Sequence, residues 1–264
     1  MDQVSVVTLA SPDRFDRVAR QHQFLKELGV ERHGLVVLGQ GSDAPAGVTV
    51  IAELDGEELN LARARNLAGD WGRGVIIFLD ADCVPGPDLV DRYVEAAQAH
   101  PGAVLTGPVT YLREGVVPAT PWDTRPDPHP ARPAVGEGEI RPSTSEDYDV
   151  FWSLTFALTE ETWSEIRAGW GSFDERYVGY GGEDTDFGWR LRAHEVPLLW
   201  VGGAHAYHVW HPVSSPPWEH LGDIVDNANR FYTTWKRWPM QGWLDEFAAA
   251  GRIALRDGKW EVLR

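Results

Sequence analysis

The chain has 264 residues, a formal net charge of −16, 13 tryptophans and a single cysteine. That length supports one sizeable core or at most two small domains, and the acidic balance repels nucleic-acid and anionic-membrane surfaces. One cysteine excludes an intrachain disulfide and fits a reducing cytoplasm, and no signal peptide or apolar run long enough to span a bilayer is evident.

In chain order the first predicted element is a strand from Val4 to Leu9, followed by Phe15, Val18, His22, Leu25 and Leu28 at helical spacing. Leu35 to Leu38 and Val48 to Ile51 read as further strands, and a helix is predicted from about Glu57 to Ala68. Val75 to Leu79 is a continuous apolar run between Gly74 and Asp80, the pattern of a strand buried on both faces of a parallel sheet. Strands alternating with helices at this pace predict a doubly wound, mostly parallel α/β sheet. From Arg113 to Asp147 seven prolines and little apolar periodicity predict a long loop without regular structure. Val150, Trp152, Leu154, Phe156 and Leu158 then alternate as a half-buried strand, and Val196 to Val201 is another apolar segment. Trp218 to Trp235 is helical in pattern, and Asp257-Gly258 marks a terminal hairpin.

Three motifs carry chemistry. Asp80-Ala81-Asp82 closes the Val75 strand, where open α/β sheets collect ligands. An extended chain would point both carboxylates to one side, where a cation would relieve their repulsion; a turn before Pro85-Gly86-Pro87 accounts for the same residues without a ligand. Tyr180-Gly181-Gly182-Glu183-Asp184 leads into Thr185 to Ala193, so a glycine-rich loop delivers acids to a helix N-terminus. The macrodipole favours carboxylates there, but it explains neither the paired glycines, which allow close approach of a ligand, nor the flat face of Tyr180. His205, His208 and His211 lie three apart after the last apolar segment, a spacing that suits a metal cluster or an irregular turn.

In this order the motifs resemble those of the metal-dependent GT-A glycosyltransferases, especially glycosyltransferase family 2 and its galactosyltransferase-like relatives, over most of Val4 to Pro212. The resemblance implies a Rossmann-like α/β fold with a C-terminal helix and hairpin extension. It also implies inverting transfer of a hexose from a UDP-sugar to an acceptor hydroxyl on a glycan, glycolipid or small molecule, with Mn²⁺ or Mg²⁺ as cofactor. By the same resemblance Asp82 binds the ion, Asp80 lies near the ribose or metal, and His208 and His211 complete the metal shell, while His205 is a supporting residue. Asp184 is then the general base and Glu183, with Gly181 and Gly182, holds the acceptor; Tyr180, where Trp is usual, is the stacking platform. The helix N-terminus is expected to keep Asp184 ionised. Thr8 and Ala10 fall near the base and ribose, Asp55 is a candidate contact for uracil or ribose, Arg65 lies near the donor and Asn66 holds the local backbone.

The expected organisation is a catalytic domain over 1–212, comprising a donor half (about 1–112), a proline-rich acceptor loop (113–147) and an acceptor half (148–212), with an extension over 213–264. Most tryptophans are expected in the core, while Trp122, Trp210 and Trp218 lie near the site and could face sugar C–H groups. There is no P-loop and no Gly-x-Ser-x-Gly context. A metal-dependent hydrolase using the same Asp and His residues and a silent sugar-nucleotide binding module remain the alternatives. No integral membrane segment is expected, so a lipid-linked acceptor would be reached by peripheral contact.

Overall fold

The apolar runs of the N-terminal half become adjacent parallel strands in the computed structural model, which describes residues 4–41, 43–56 and 59–263. β1 (Val4–Ala10), β2 (Arg32–Leu38), β3 (Thr49–Leu54) and β4 (Val75–Leu79) lie in the order β3-β2-β1-β4. Helix α1 (Phe15–Glu27) links β1 to β2, and α2 (Leu61–Trp71) precedes β4. The expected start of α2 at Glu57 lies outside the described residues. Asn60 caps this helix instead, accepting the Arg63 N–H at 2.8 Å.

After β4 come β5 (Cys83–Pro85), α3 (Leu89–Ala99), β6 (Val104–Thr106), β7 (Val109–Tyr111), β8 (Ile140–Pro142) and β9 (Thr155–Thr159). They are followed by α4 (Glu160–Trp170), α5 (Glu183–Ala193), β10 (Leu198–Val201) and β11 (Ala206–His208). The main sheet continues β4-β9-β6-β10-β8, with β9 and β8 antiparallel to their neighbours and the other strands running in one direction. A three-stranded sheet, β5-β11-β7, stands beside it. The C-terminal part contains α6 (Leu221–Trp235), α7 (Gln241–Ala249) and a hairpin of β12 (Ile253–Arg256) and β13 (Lys259–Val262).

The period of two along β4 sorts its side chains into two cores. Ile77 and Leu79 join Leu25, Leu89 and Tyr93 on one face; Ile76 and Phe78 join Trp163, Phe156 and Phe187 on the other. Each such side chain contributes about 1.5–3 kcal/mol on full burial, so the sheet is secured independently of any ligand.

Two expectations change. The half-buried strand from Val150 starts only at Thr155, and its residues are covered on both faces because β9 is central, between β4 and β6. The stretch from Arg113 to Asp147 is not wholly irregular. It contributes β8 as an edge strand antiparallel to β10, a position where Pro142 costs no ladder bond within the sheet.

Candidate active site

At the carboxyl end of β4 the chain does not stay extended. Cys83 N donates to Asp80 O at 2.9 Å, closing a tight turn. The two carboxylates therefore take different partners. Asp82, 7% exposed, accepts from Arg14 Nη1 at 2.5 Å and from Arg17 Nη1, both at the start of α1. Asp80 is half-buried, with Oδ1 3.9 Å from Arg65 Nη2; burial pushes its carboxyl up to about 6 against the pull of Arg65. Gln21, fully buried on α1, clamps the turn by donating to Asp80 O and Cys83 O at 2.8 and 2.7 Å.

The small sheet brings the histidines to this turn. β11 pairs antiparallel with β5 so that His208 lies opposite Cys83, and Val209 N donates to Asp82 O at 2.7 Å. His211 Nε2 is 3.4 Å from Asp82 Oδ2, and one ligand atom from each of Asp82, His208 and His211 lies within 4.8 Å of the others. Burial lowers His208 to about 4 although Asp82 opposes it, leaving the neutral ring that metals bind. One carboxylate and two imidazoles in this spacing fit a divalent ion with positions left open for a ligand. His205 is excluded from the group: it is buried, 2.7 Å from Thr110 Oγ1 and stacked on Tyr207.

The glycine loop delivers the second cluster. Gly181 and Gly182 have φ of +88° and +94°, a region costly for residues with a Cβ, and Gly182 caps α5 so that Glu183 and Asp184 open the helix. Glu183 accepts from Arg65 Nη1 at 2.8 Å, both residues being 5% exposed. The Arg65 guanidinium, carried on α2, thus pairs with Glu183 at the start of α5 and also faces Asp80 at the end of β4. Asp184 is half-buried, and its carboxyl is not held low as expected from the macrodipole. Burial and the neighbouring Glu183 push it up to about 7, outweighing Arg65 and the Thr185 N–H. Asp186, fully buried, accepts from Trp235 Nε1 at 2.8 Å and from Arg190 Nε, and ties α5 to α6. Tyr180 already has one face stacked on His220, with ring centroids 4.6 Å apart, leaving at most the opposite face as a platform.

Thr8 is 1% exposed, its hydroxyl within bonding distance of Gln21 Oε1 (2.6 Å), Leu79 O (3.0 Å) and His33 Nε2 (3.0 Å), so its side chain supports the β4 turn. Ala10 is buried against Ala81, while Asp55 is exposed just past the carboxyl end of the outer strand β3, at the same edge of the parallel sheet as Asp80. Asn66 holds distant rather than local backbone, bonding Phe173 O and N at 2.9 and 3.2 Å. Sequence reasoning missed Arg14, Arg17, Gln21 and Arg132. Gln21 gave a signal, a polar residue on the buried face of α1; Arg14 and Arg17 gave none, since exposed helix faces are rich in arginine, and Arg132 gave none because nothing in an irregular proline-rich stretch marks a buried position. A shallow concavity between α2 and α4, lined by Asp70, Arg73, Trp163 and Arg167, opens at the amino end of β4, away from these clusters.

Comparisons with known proteins bear on the fold. No family model matches the chain. It is similar to a validoxylamine A glucosyltransferase of Streptomyces hygroscopicus subsp. jinggangensis (strain 5008), 27% identical over 145 residues covering 47% of this chain and 33% of the relative. It is also similar to the chondroitin synthase of Escherichia coli, 27% identical over 161 residues covering 50% of this chain and 22% of the relative. The chain spans a third or less of the length of these curated relatives. Among solved structures, GalNAc-T7 with UDP, GalNAc and Mn²⁺ superposes with a TM-score of 0.57 at 16% identity, covering 88% of this chain and 50% of that one. S. aureus TarS 1-349 in complex with UDP-GlcNAc superposes with a TM-score of 0.52 at 10% identity, covering 98% and 96%. The mixed α/β architecture, with its mostly parallel central sheet, is that of the GT-A glycosyltransferases.

Proposed function

We propose that the chain is a metal-dependent, inverting glycosyltransferase that moves a hexose from a UDP-linked donor to an acceptor hydroxyl. The observation that carries this reading is the convergence of Asp82, His208 and His211 at the end of β4, with Asp184 braced beside the same strand end through Glu183, Arg65 and Asp80. Partial sequence similarity to a glucosyltransferase and a polysaccharide synthase supports sugar transfer, and the UDP-bearing structural neighbours support the donor class.

Asp82, His208 and His211 would hold the ion. Two imidazoles with one carboxylate suit Mn²⁺ better than Mg²⁺, which prefers an all-oxygen octahedral shell. Bound there, the ion would supply charge neutralisation for the departing diphosphate. Asp184 Oδ takes the proton from the acceptor hydroxyl as its oxygen bonds to the anomeric carbon and the bond from that carbon to the phosphate oxygen breaks. One in-line displacement inverts that centre. A base with a pKa near 7 matches the task, being both ionisable and basic at working pH. Glu183, fixed by Arg65, stands next to it as the acceptor's hydrogen-bond partner.

Calorimetric titration of UDP-hexoses with and without Mn²⁺, followed by transfer assays on an acceptor panel, tests the reading. Metal-dependent UDP-sugar binding with transfer to a hydroxyl is expected. Absence of UDP binding under both conditions would overturn it, and release of free sugar with every acceptor left unmodified would favour a hydrolase.

A further inference from the structure

One stripe of α6 grips the glycine loop. His220 at the helix cap, then Asp223, Asn227, Phe231 and Trp235, recur at steps of three and four and so share a face. Asn227, 2% exposed, donates from Nδ2 to Val178 O and Gly181 O, both at 2.9 Å. An amide nitrogen has two protons, and these bonds use both. Asp223 Oδ2 accepts the Tyr180 N–H at 3.2 Å. The loop between Tyr177 and Glu183 belongs to no strand or helix, so its backbone groups have no ladder to satisfy them. Two glycines in its final turn also leave it many alternative shapes when unbonded. Gly179 N donates to Leu59 O at 2.6 Å, and side chains of α6 hold Val178, Tyr180 and Gly181.

We propose that α6 is a positioning element of the acceptor half of the site: Asn227 and Asp223 hold Val178 to Gly182 in the conformation that presents Glu183 and Asp184 at the start of α5. The holding rests on geometry alone; its consequence for turnover rests on the function proposed above. The C-terminal segment, which the sequence marks only as an appended helix and hairpin, is then part of the catalytic apparatus. A displacement of about 1 Å in a reacting group can cost a hundredfold in rate, so loss of these bonds acts on turnover without touching the donor side.

The test uses the full chain, with two readouts. Hydrogen exchange of peptides covering 176–184 reports the loop, and steady-state kinetics with calorimetric UDP-sugar titration report the site. Asn227→Ala should raise loop exchange at least about tenfold while β4 amides stay protected, and lower kcat about tenfold or more with donor Kd within about twofold. Asp223→Asn keeps an oxygen to accept the Tyr180 N–H and should resemble the parent, whereas Asp223→Ala should loosen the loop. The Asp223 pair decides the matter if Asn227→Ala does not fold. Unchanged loop exchange in Asp223→Ala, equal loosening in Asp223→Asn, or a kcat loss that tracks a loss of donor binding each overturns the proposal. A loop that loosens as described in a chain transferring no sugar supports the holding and overturns the functional reading instead.

Discussion

Arg65 Nη1 donates to Glu183 Oε1 at 2.8 Å across 118 residues of sequence, and the same guanidinium lies 3.9 Å from Asp80. Both partners of the short pair are almost wholly buried, so each depends on the other to offset its desolvation. The pair ties α2 to the start of α5, which carries the candidate base, and turns the same guanidinium toward Asp80 at the end of β4.

Arg65→Met leaves Glu183 buried without its cation and should destabilise the protein by about 3–5 kcal/mol. Arg65→Met with Glu183→Leu should recover a large part of that loss, because no unpaired charge remains. Urea denaturation of both variants checks this. A single-variant loss below about 1 kcal/mol would remove the pair from the account.

Asp184 predicts two pH effects of opposite sense. As the base proposed above, Asp184 must be ionised, so kcat should rise with pH through a midpoint near 7 and level off above it. Burial above all, then Glu183 and Asp80, hold this midpoint up, while Arg65 and the Thr185 N–H draw it down. Stability runs the other way. The folded protein binds this proton more tightly than the unfolded chain, so the contribution is full below about pH 4 and is lost as pH rises through 7. Asp184→Asn should lower transfer by roughly a hundredfold to ten-thousandfold, leave donor affinity nearly unchanged, and flatten the fall in melting temperature between pH 4 and 7. A variant with parental turnover would exclude Asp184 as the base.

Arg14 and Arg17 compete with any cation for Asp82, since both carboxylate oxygens are engaged by guanidinium groups. Arg17→Gln should therefore tighten Mn²⁺ binding several-fold in calorimetry, and Asp82→Ala should abolish metal-dependent donor binding without unfolding the chain. Mn²⁺ affinity that is unchanged in Arg17→Gln and also survives in Asp82→Ala would move the metal elsewhere.

Arg132 anchors the proline-rich stretch. It is 5% exposed, donates to Gly107 O at 3.0 Å and Trp152 O at 2.7 Å, and lies over the Trp152 and Trp200 rings. Arg132→Ala should expose residues 113–139 to limited proteolysis and alter acceptor preference while sparing UDP-sugar affinity. Unaltered cleavage would remove Arg132 as the anchor of the segment.

The sequence by itself located the ends of the buried strands. Uninterrupted apolar runs such as Val75 to Leu79 cannot be placed in water, and the polar residues that stop them mark the edge where ligands collect; Asp80 and Asp82 were legible as candidates for that reason, whereas His208 and His211 were named from the family resemblance. The paired glycines before Glu183 announced a turn into a helix because few other residues tolerate that backbone. The tertiary structure alone decided which of these residues meet. The register of β11 on β5 sets His208 beside Asp82, and nothing in either short strand encodes its partner. Burial, which no single position reveals, made Arg65 a brace, Thr8 a support and Asp184 a carboxyl near neutrality. The grip of α6 on the glycine loop was hidden for a simpler reason: Asn227 and Asp223 read as ordinary polar positions on a helix until another part of the chain is folded against them.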